Sequence, residues 1–278
     1  MVCFTSIPDL RACIAEWRKA GATVAFVPTM GALHEGHLSL VRLAREYADN
    51  VVVSIFVNPT QFGPNEDFSK YPRTEEADVA MCREAGVSAV FLPTAEEMYP
   101  KDASVYVDEE RLSKGLCGAS RPGHFRGVLT VVAKLFNIVQ PDVAVFGQKD
   151  AQQVALIERM VRDMDIPVRI VRGATHREAD GLAMSSRNRY LSAEERGRAL
   201  CLSRALATAK DLAAHGTTDA EAVKDAMRHI INQARGEVGY LACVDTATLE
   251  PVERVGEGTL VAVAVTIGTT RLIDNIIL

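Results

Sequence analysis

The chain has 278 residues, 48% of them hydrophobic, and a formal net charge of −5. That size suits one large domain or two smaller ones with ample core, and the acidic balance argues against broad nucleic-acid binding, which favours basic surfaces. No apolar run reaches the length of a membrane span. The first residues lack the basic-then-apolar plan of a signal peptide. Six scattered cysteines without a CxxC pair suggest free thiols in a reducing cytoplasm.

In chain order, residues 9–20 pattern as a helix that Gly21 stops. Val24-Ala25-Phe26-Val27 reads as a short buried strand. Residues 37–48 carry Leu38, Val41, Leu43, Ala44 and Tyr47 as a helical stripe, and 51–57 is a continuous β-branched strand. A helix over 75–85 stops at Gly86, and a strand follows over 89–92. A second round repeats the alternation: helix 128–139, strand 143–146, helix 151–164, strand 168–171. Apolar strands separated by helices imply a parallel sheet covered on both faces. The right-handed crossover rule then predicts an α/β fold with a Rossmann-like doubly wound sheet.

From about residue 177 the pattern changes. Ser192 and Glu195 are spaced as a capping box opening one long helix to about 214. Thr218 and Glu221 open another, with Val223, Met227, Ile230 and Ile231 as its apolar face. Strands over 240–244 and 260–267 and a short apolar tail follow. This order predicts a smaller C-terminal α+β domain, dividing the chain into 1–176 and 177–278.

The densest chemistry lies in Met30-Gly31-Ala32-Leu33-His34-Glu35-Gly36-His37, between a strand and a helix. Helix N-termini present unpaired N–H groups and the positive dipole end, and so bind phosphate. Residues three apart share a helix face, so both imidazoles can touch a polyphosphate. Their ordinary titration range matches charge that develops near pH 7. Gly31 permits backbone geometry and close approach that other residues block. The alternative is a capped helix start with two partly exposed histidines.

Gly147-Gln148-Lys149-Asp150 also follows a strand end, where a doubly wound sheet binds ligand. Lys149 suits a phosphate and Asp150 a helix cap or a ribose hydroxyl; Gln152 and Gln153 come next. Met184-Ser185-Ser186-Arg187 offers hydroxyls and a guanidinium for phosphate. Asn58-Pro59-Thr60-Gln61 offers donors and acceptors for the hydroxyls and carboxylate of a small substrate. Arg121-Pro122-Gly123-His124-Phe125-Arg126-Gly127 is a basic loop suited to an anion. Singly, a solvated lysine, a polar turn or an ordinary surface loop accounts for each. Together they gather phosphate-handling groups at several strand ends of one sheet. The sequence has no Walker motif, no GxGxxG and no Cys/His array for zinc.

These stretches, with Tyr71-Pro72-Arg73-Thr74 and Asp180-Gly181-Leu182-Ala183, resemble the pantoate–β-alanine ligase family over essentially the full length. His34-Glu35-Gly36-His37 is similar to the HxGH signature of the wider nucleotidyltransferase superfamily. Met184-Ser185-Ser186-Arg187 resembles its KMSKS loop, with Arg187 in the role of a lysine. The resemblance implies an AMP-forming ligase of pantothenate biosynthesis. In it, the carboxylate of (R)-pantoate attacks the α-phosphorus of ATP, giving pantoyl-adenylate and pyrophosphate. The amine of β-alanine then displaces AMP. Mg2+ accompanies the ATP.

The resemblance assigns catalysis to His37, His34, Lys149 and Arg187, with His37 the better proton donor. It places Met30, Gly31, Ala32, Leu33, Glu35, Gly36, Gly147, Gln148, Asp150, Met184, Ser185 and Ser186 around the nucleotide. His176 would meet ATP through its main chain. Gln61, Gln153, Asn58 and His124 would hold the substrates, Gln61 meeting both pantoate and β-alanine. Gln148 departs from the family, many members of which carry Glu there. The metal's protein ligands are not identified. The C-terminal domain would be a lid and the enzyme a cytoplasmic homodimer, with neither nucleic acid nor membrane as partner. Two rivals stand beside this reading. One is another adenylyl-transferring enzyme of the superfamily, against which residues 58–61 and 118–127 speak. The other is a non-catalytic nucleotide-binding module, against which the complete set His34, His37, Lys149, Ser185, Ser186 and Arg187 speaks.

Overall fold

In the computed structural model, which describes residues 1–64 and 66–278, six parallel strands form one sheet. They are β1 (Val2–Phe4), β2 (Val24–Thr29), β3 (Asn50–Ile55), β4 (Ala89–Phe91), β5 (Val143–Gly147) and β6 (Arg169–Gly173), in spatial order β1-β4-β3-β2-β5-β6. From β2 the chain winds outward through β3 to β4, then returns to place β5 on the other side of β2. The switch point therefore lies between β2 and β5, and the crevice beyond their carboxyl ends is where such sheets bind ligands.

Alternation along the strands decides which helices cover which face. Val24 and Phe26 of β2 pack with α1 (Ile7–Lys19) and with helices α6 and α7 of the second round. Ala25 and Val27 pack with α2 (Glu35–Ala44) and α3 (Glu75–Glu84). Two short helices, α4 (Ala95–Met98) and α5 (Leu116–Ser120), precede α6 (His124–Val139) and α7 (Ala151–Asp163).

A second lobe holds α8 (Ala193–Ala199), α9 (Cys201–Ala214) and α10 (Ala220–Gln233). They accompany an antiparallel sheet of β7 (Glu237–Asp245), β8 (Thr259–Ile267) and β9 (Thr270–Ile277). Val261, Val263, Val265 and Ile267 of β8 face α9 and α10, whereas Leu260 and Ala262 face Ala151 of the first lobe. β8 is thus buried on both faces, which explains its unbroken apolar run.

Several elements differ from the sequence expectation. β1 is only three residues long, too short for periodicity to show. α6 begins at His124, four residues before 128, because Gly123 in the left-handed region (φ 78°) turns the chain into it. The long helix expected from 192 is two helices meeting at Leu200, although the Ser192–Glu195 capping box forms. Asp219, not Thr218, caps α10. The apolar tail is a full strand, β9, whose buried Asp274 and Asn275 interrupt the apolar pattern.

Candidate active site

A cleft opens at the switch point, enclosing ≈ 1390 Å³ with its mouth included. Its floor is Met30 at the end of β2, Phe146 and Gly147 at the end of β5, and the N-terminal turn of α2. One wall is the 3₁₀ turn Pro59–Gln61 with α6; the other is the second lobe's loop at Met184, Ser185, Ser186 and Arg187.

Two left-handed residues, Gly31 (φ 79°) and Ala32 (φ 50°), turn the chain from β2 towards α2. Ala32 is held there by buried Asp78 of α3, whose carboxylate accepts the Ala32 and Leu33 amides at 2.8 Å each. A Cβ on Gly31 would sit 3.0 Å from both that carboxylate and Ile55. The turn delivers His34 to the N-cap of α2 and His37 to its third residue. The rings lie 4.1 Å apart, centroid to centroid. Gly36 is glycine because a Cβ there would stand 3.0 Å from the His34 ring.

The state of these histidines corrects the expectation of groups titrating near pH 7. Burial, then the neighbouring His34 and Lys149, lower His37 to about 3. Burial, then Lys149, lower His34 to about 4. Both are neutral at pH 7. The His34 amide donates to His37 Nδ1 at 3.3 Å. The proton of neutral His37 therefore resides on Nε2 and makes that atom a hydrogen-bond donor. His34 Nδ1 is buried without a partner among the described residues. An orphan polar atom in a cleft is suited to a ligand.

On the turn, Asn58 is buried and its carboxamide is fully engaged. Nδ2 donates to Gln61 Oε1 (3.0 Å) and Gly127 O (3.2 Å), while Oδ1 accepts from Tyr99 Oη (2.8 Å) and Thr60 Oγ1 (2.9 Å). Asn58 thus orients Gln61, whose Nε2 in turn contacts Met30 Sδ at 3.1 Å. His124 is similarly tied: Nδ1 donates to Gln61 O (2.8 Å), and Nε2 accepts from Arg121 (2.9 Å). Burial and the Arg121 charge lower it to about 4, so it too is neutral. Gly127 brings α6 onto the turn; a Cβ there would lie 2.7 Å from Gln61 Cα.

Lys149 lines the cleft 3.6 Å from Asp150. Its turn is pinned from the second lobe, because Asn275 Nδ2 donates to the carbonyls of Gln148 (3.0 Å) and Lys149 (2.9 Å). Gln153, the first-turn residue of α7 that faces the cleft, joins them. Its neighbour Gln152 instead ties down α5 through Cys117 N and Gly115 O. His176 borders the cleft, and its carbonyl accepts from Met184 N at 3.0 Å.

Sixteen expected residues line this one cleft: Met30, His34, Gly36, His37, Asn58, Gln61, His124, Gly147, Lys149, Asp150, Gln153, His176, Met184, Ser185, Ser186 and Arg187. Gly31, Ala32, Leu33, Glu35 and Gln148 do not line it. The first three form the buried turn on Asp78. Glu35 pairs with Arg42 on the outer face of α2, and Gln148 meets Arg172 and Asn275. Structure adds residues that the sequence reading gave no role: Asp67, Tyr71, Asp78, Tyr99 and Asn275. Tyr71 lay within a family-like stretch, which was the one signal available for it; the others depend on contacts distant in sequence.

The family model described as pantoate-beta-alanine ligase matches residues 2–277. The chain belongs to the pantoate–β-alanine ligase family. It is similar to the pantothenate synthetase of Clostridium novyi, 55% identical over 278 residues, covering 100% of this chain and 98% of that one. The crystal structure of pantothenate synthetase from Thermus thermophilus superposes with a TM-score of 0.95 at 45% identity, covering 99% of each chain. That of pantoate-beta-alanine ligase from Francisella tularensis, complexed with an ATP species and β-alanine, gives 0.83 at 33% identity, covering 100% of this chain and 97% of that one. A ligase of this family therefore has the doubly wound fold described above.

Proposed function

We propose that the protein condenses (R)-pantoate with β-alanine in two ATP-dependent steps, through pantoyl-adenylate. The observation that carries this reading is the convergence of His34, His37, Lys149, Ser185, Ser186 and Arg187 on the cleft that also holds Gln61 and Gln153. A binding module has no need of so many groups matched to a polyphosphate in which charge is moving.

In the first step a pantoate carboxylate oxygen attacks the α-phosphorus of ATP, and the bond to the bridging oxygen breaks to release pyrophosphate. Gln61, fixed by Asn58, and Gln153 hold the hydroxyls and carboxylate of pantoate; Gln61 also meets β-alanine. His124 orders the wall behind Gln61. His37 Nε2–H and His34 donate hydrogen bonds to the polyphosphate, while Lys149 and Arg187 balance its growing charge. Bound polyphosphate raises both histidine pKa values, yet they start neutral, so hydrogen-bond donation rather than full proton transfer is their role at pH 7. Met30, Gly36, Gly147, Asp150, Met184, Ser185, Ser186 and the His176 main chain border the nucleotide. In the second step the β-alanine nitrogen attacks the acyl carbon, loses a proton and displaces AMP.

Mg2+ travels with ATP and is held by one or two carboxylates together with the phosphates. Among the described residues no three His, Cys, Asp or Glu side chains converge on a metal cage. Asp150, half-exposed at the cleft, is the carboxylate suited to a cation carried in on the triphosphate. When bound, that ion neutralises phosphate charge.

We place the domain boundary near 176, with 177–278 as the lid, because separate apolar clusters lie on either side. We also read the enzyme as a cytoplasmic homodimer. Val105 (85% exposed) and Tyr106 (55%) offer apolar surface for a second copy, and among the described residues no helix is long and apolar enough to cross a membrane.

The deciding experiment incubates the protein with ATP, Mg2+ and pantoate, and measures pyrophosphate with and without β-alanine. Pyrophosphate that depends on pantoate is expected; its absence overturns the reading. In the same assay, Gln61→Ala is expected to raise the KM for pantoate more than that for ATP. The reverse order would reassign the residue.

A further inference from the structure

Arg187 is held by a residue from the opposite lobe. Asp67, on the loop between the Pro59–Gln61 turn and α3, takes its guanidinium side-on: Nε donates to Oδ2 at 3.0 Å and Nη2 to Oδ1 at 2.9 Å. The two side chains are 23% and 29% exposed. Burial, which would raise the Asp67 carboxyl, is outweighed by Arg187, so the carboxylate stays ionised. The Tyr71 ring lies 5.9 Å from the guanidinium carbon, and its hydroxyl meets Ser186 Oγ at 3.1 Å.

The fork leaves one end of Arg187 free. Nη1 has no hydrogen-bond partner among the described residues, while Arg187 itself lines the cleft. The adjacent carboxylate, Glu66, makes the same side-on fork with Arg121, through Nε (2.8 Å) and Nη2 (2.5 Å). There, however, Nη1 is taken up by His124. Arg121 thus spends one Nη1 proton on His124, whereas neither Nη1 proton of Arg187 has a partner among the described residues. A guanidinium gripped along one edge has a fixed plane and direction, which an arginine on a lone flexible stem lacks.

We propose that Asp67 is a positioning residue for adenylate formation, holding Arg187 so that its free Nη1 faces the phosphates when the lid is closed. This rests on the reaction proposed above. Asp67 touches no reacting atom; its effect passes through Arg187. A misplacement of about 1 Å in such a group costs on the order of 10²-fold in rate.

The test is a double-mutant cycle read by the kcat of pantoate-dependent pyrophosphate release. Asp67→Asn keeps the shape of the side chain but turns an amide N–H towards the guanidinium, so the fork breaks while the fold persists. It is expected to lower kcat 10- to 100-fold, a range in keeping with misplacement of one charged group, with unchanged thermal unfolding. Asp67→Glu is expected to recover part of the loss. In an Arg187→Ala background, Asp67→Asn is expected to add nothing. Arg159→Met removes another cross-lobe contact, from Arg159 Nη2 to Ala247 O (3.2 Å), remote from the cleft, and is expected to leave kcat unchanged. Wild-type kcat in Asp67→Asn, a loss that multiplies with that of Arg187→Ala, or an equal loss in Arg159→Met would each overturn the proposal. Absence of pantoate-dependent pyrophosphate from the wild type would instead overturn the reaction itself.

Discussion

At the Pro59–Gln61 turn, backbone meets backbone: α6 approaches at Gly127, and the buried carboxamide of Asn58 closes the joint. At the 184–190 loop, side chains make the hydrogen bonds across to the first lobe, as Asp67 with Arg187, Tyr71 with Ser186 and Tyr190 with the Lys70 carbonyl. The first wall tolerates no added atom and has a single arrangement. The second is joined largely by polar contacts that exchange readily with water or ligand. In the function proposed above, the wall assigned to the small acid is the rigid one, and the wall assigned to closing over nucleotide is the reversible one.

Substitutions at the first wall are expected to be costly, so they test the contrast most severely. Gly127→Ala places a methyl 2.6 Å from the Thr60 carbonyl carbon. It is expected to destabilise by about 3 kcal/mol, at the upper end for overpacking, and to raise the KM for pantoate. Urea unfolding checks the first and initial rates the second; wild-type values would mean that α6 moves freely over the turn.

Asn58→Ala strands Tyr99 Oη and the Gln61 carboxamide, and a loss of about 2 kcal/mol is expected for unmade buried hydrogen bonds. The pantoate KM should rise with it. If stability fell while pantoate binding held, Asn58 would be scaffold alone.

Acidification produces a graded loss. His34, His37 and His124 stay neutral in the fold down to about 4, 3 and 4, while in the unfolded chain they take up protons near pH 6.5. Between pH 6.5 and 4.5 the unfolded state therefore binds more protons, so stability falls as pH falls. Urea titrations at pH 7.0, 5.5 and 4.5 should show it, and His124→Gln should flatten the slope. A flat wild-type profile would mean that these rings are protonated in the fold.

The smallest effect belongs to the lid. Tyr71→Phe removes one hydroxyl contact and is expected to change stability by less than about 1 kcal/mol, while raising the KM for ATP. A loss as large as that of Asn58→Ala would erase the distinction between the walls.

The doubly wound sheet was legible because β2, β3 and β5 are continuous apolar strands and their helices carry 3.6-residue stripes. The contacts that organise the cleft were less so. Asp78 caps the Ala32–Leu33 turn from 45 residues away, and Asn275 reaches the 148–149 carbonyls across more than 120. In sequence each is one more polar residue, and at β9 the polar pair even hid the strand.

Local periodicity and glycine placement, both short-range properties of the chain, by themselves determined the alternating architecture, the glycine turn that leads into the two histidines and the strand ends that gather His34, His37 and Lys149. Only the tertiary structure decided that those histidines are neutral, that Asn58 and His124 face inward to hold the turn, and that Arg187 is held by Asp67. Burial and long-range hydrogen bonding set protonation and side-chain direction, and neither exists until segments distant in sequence have packed.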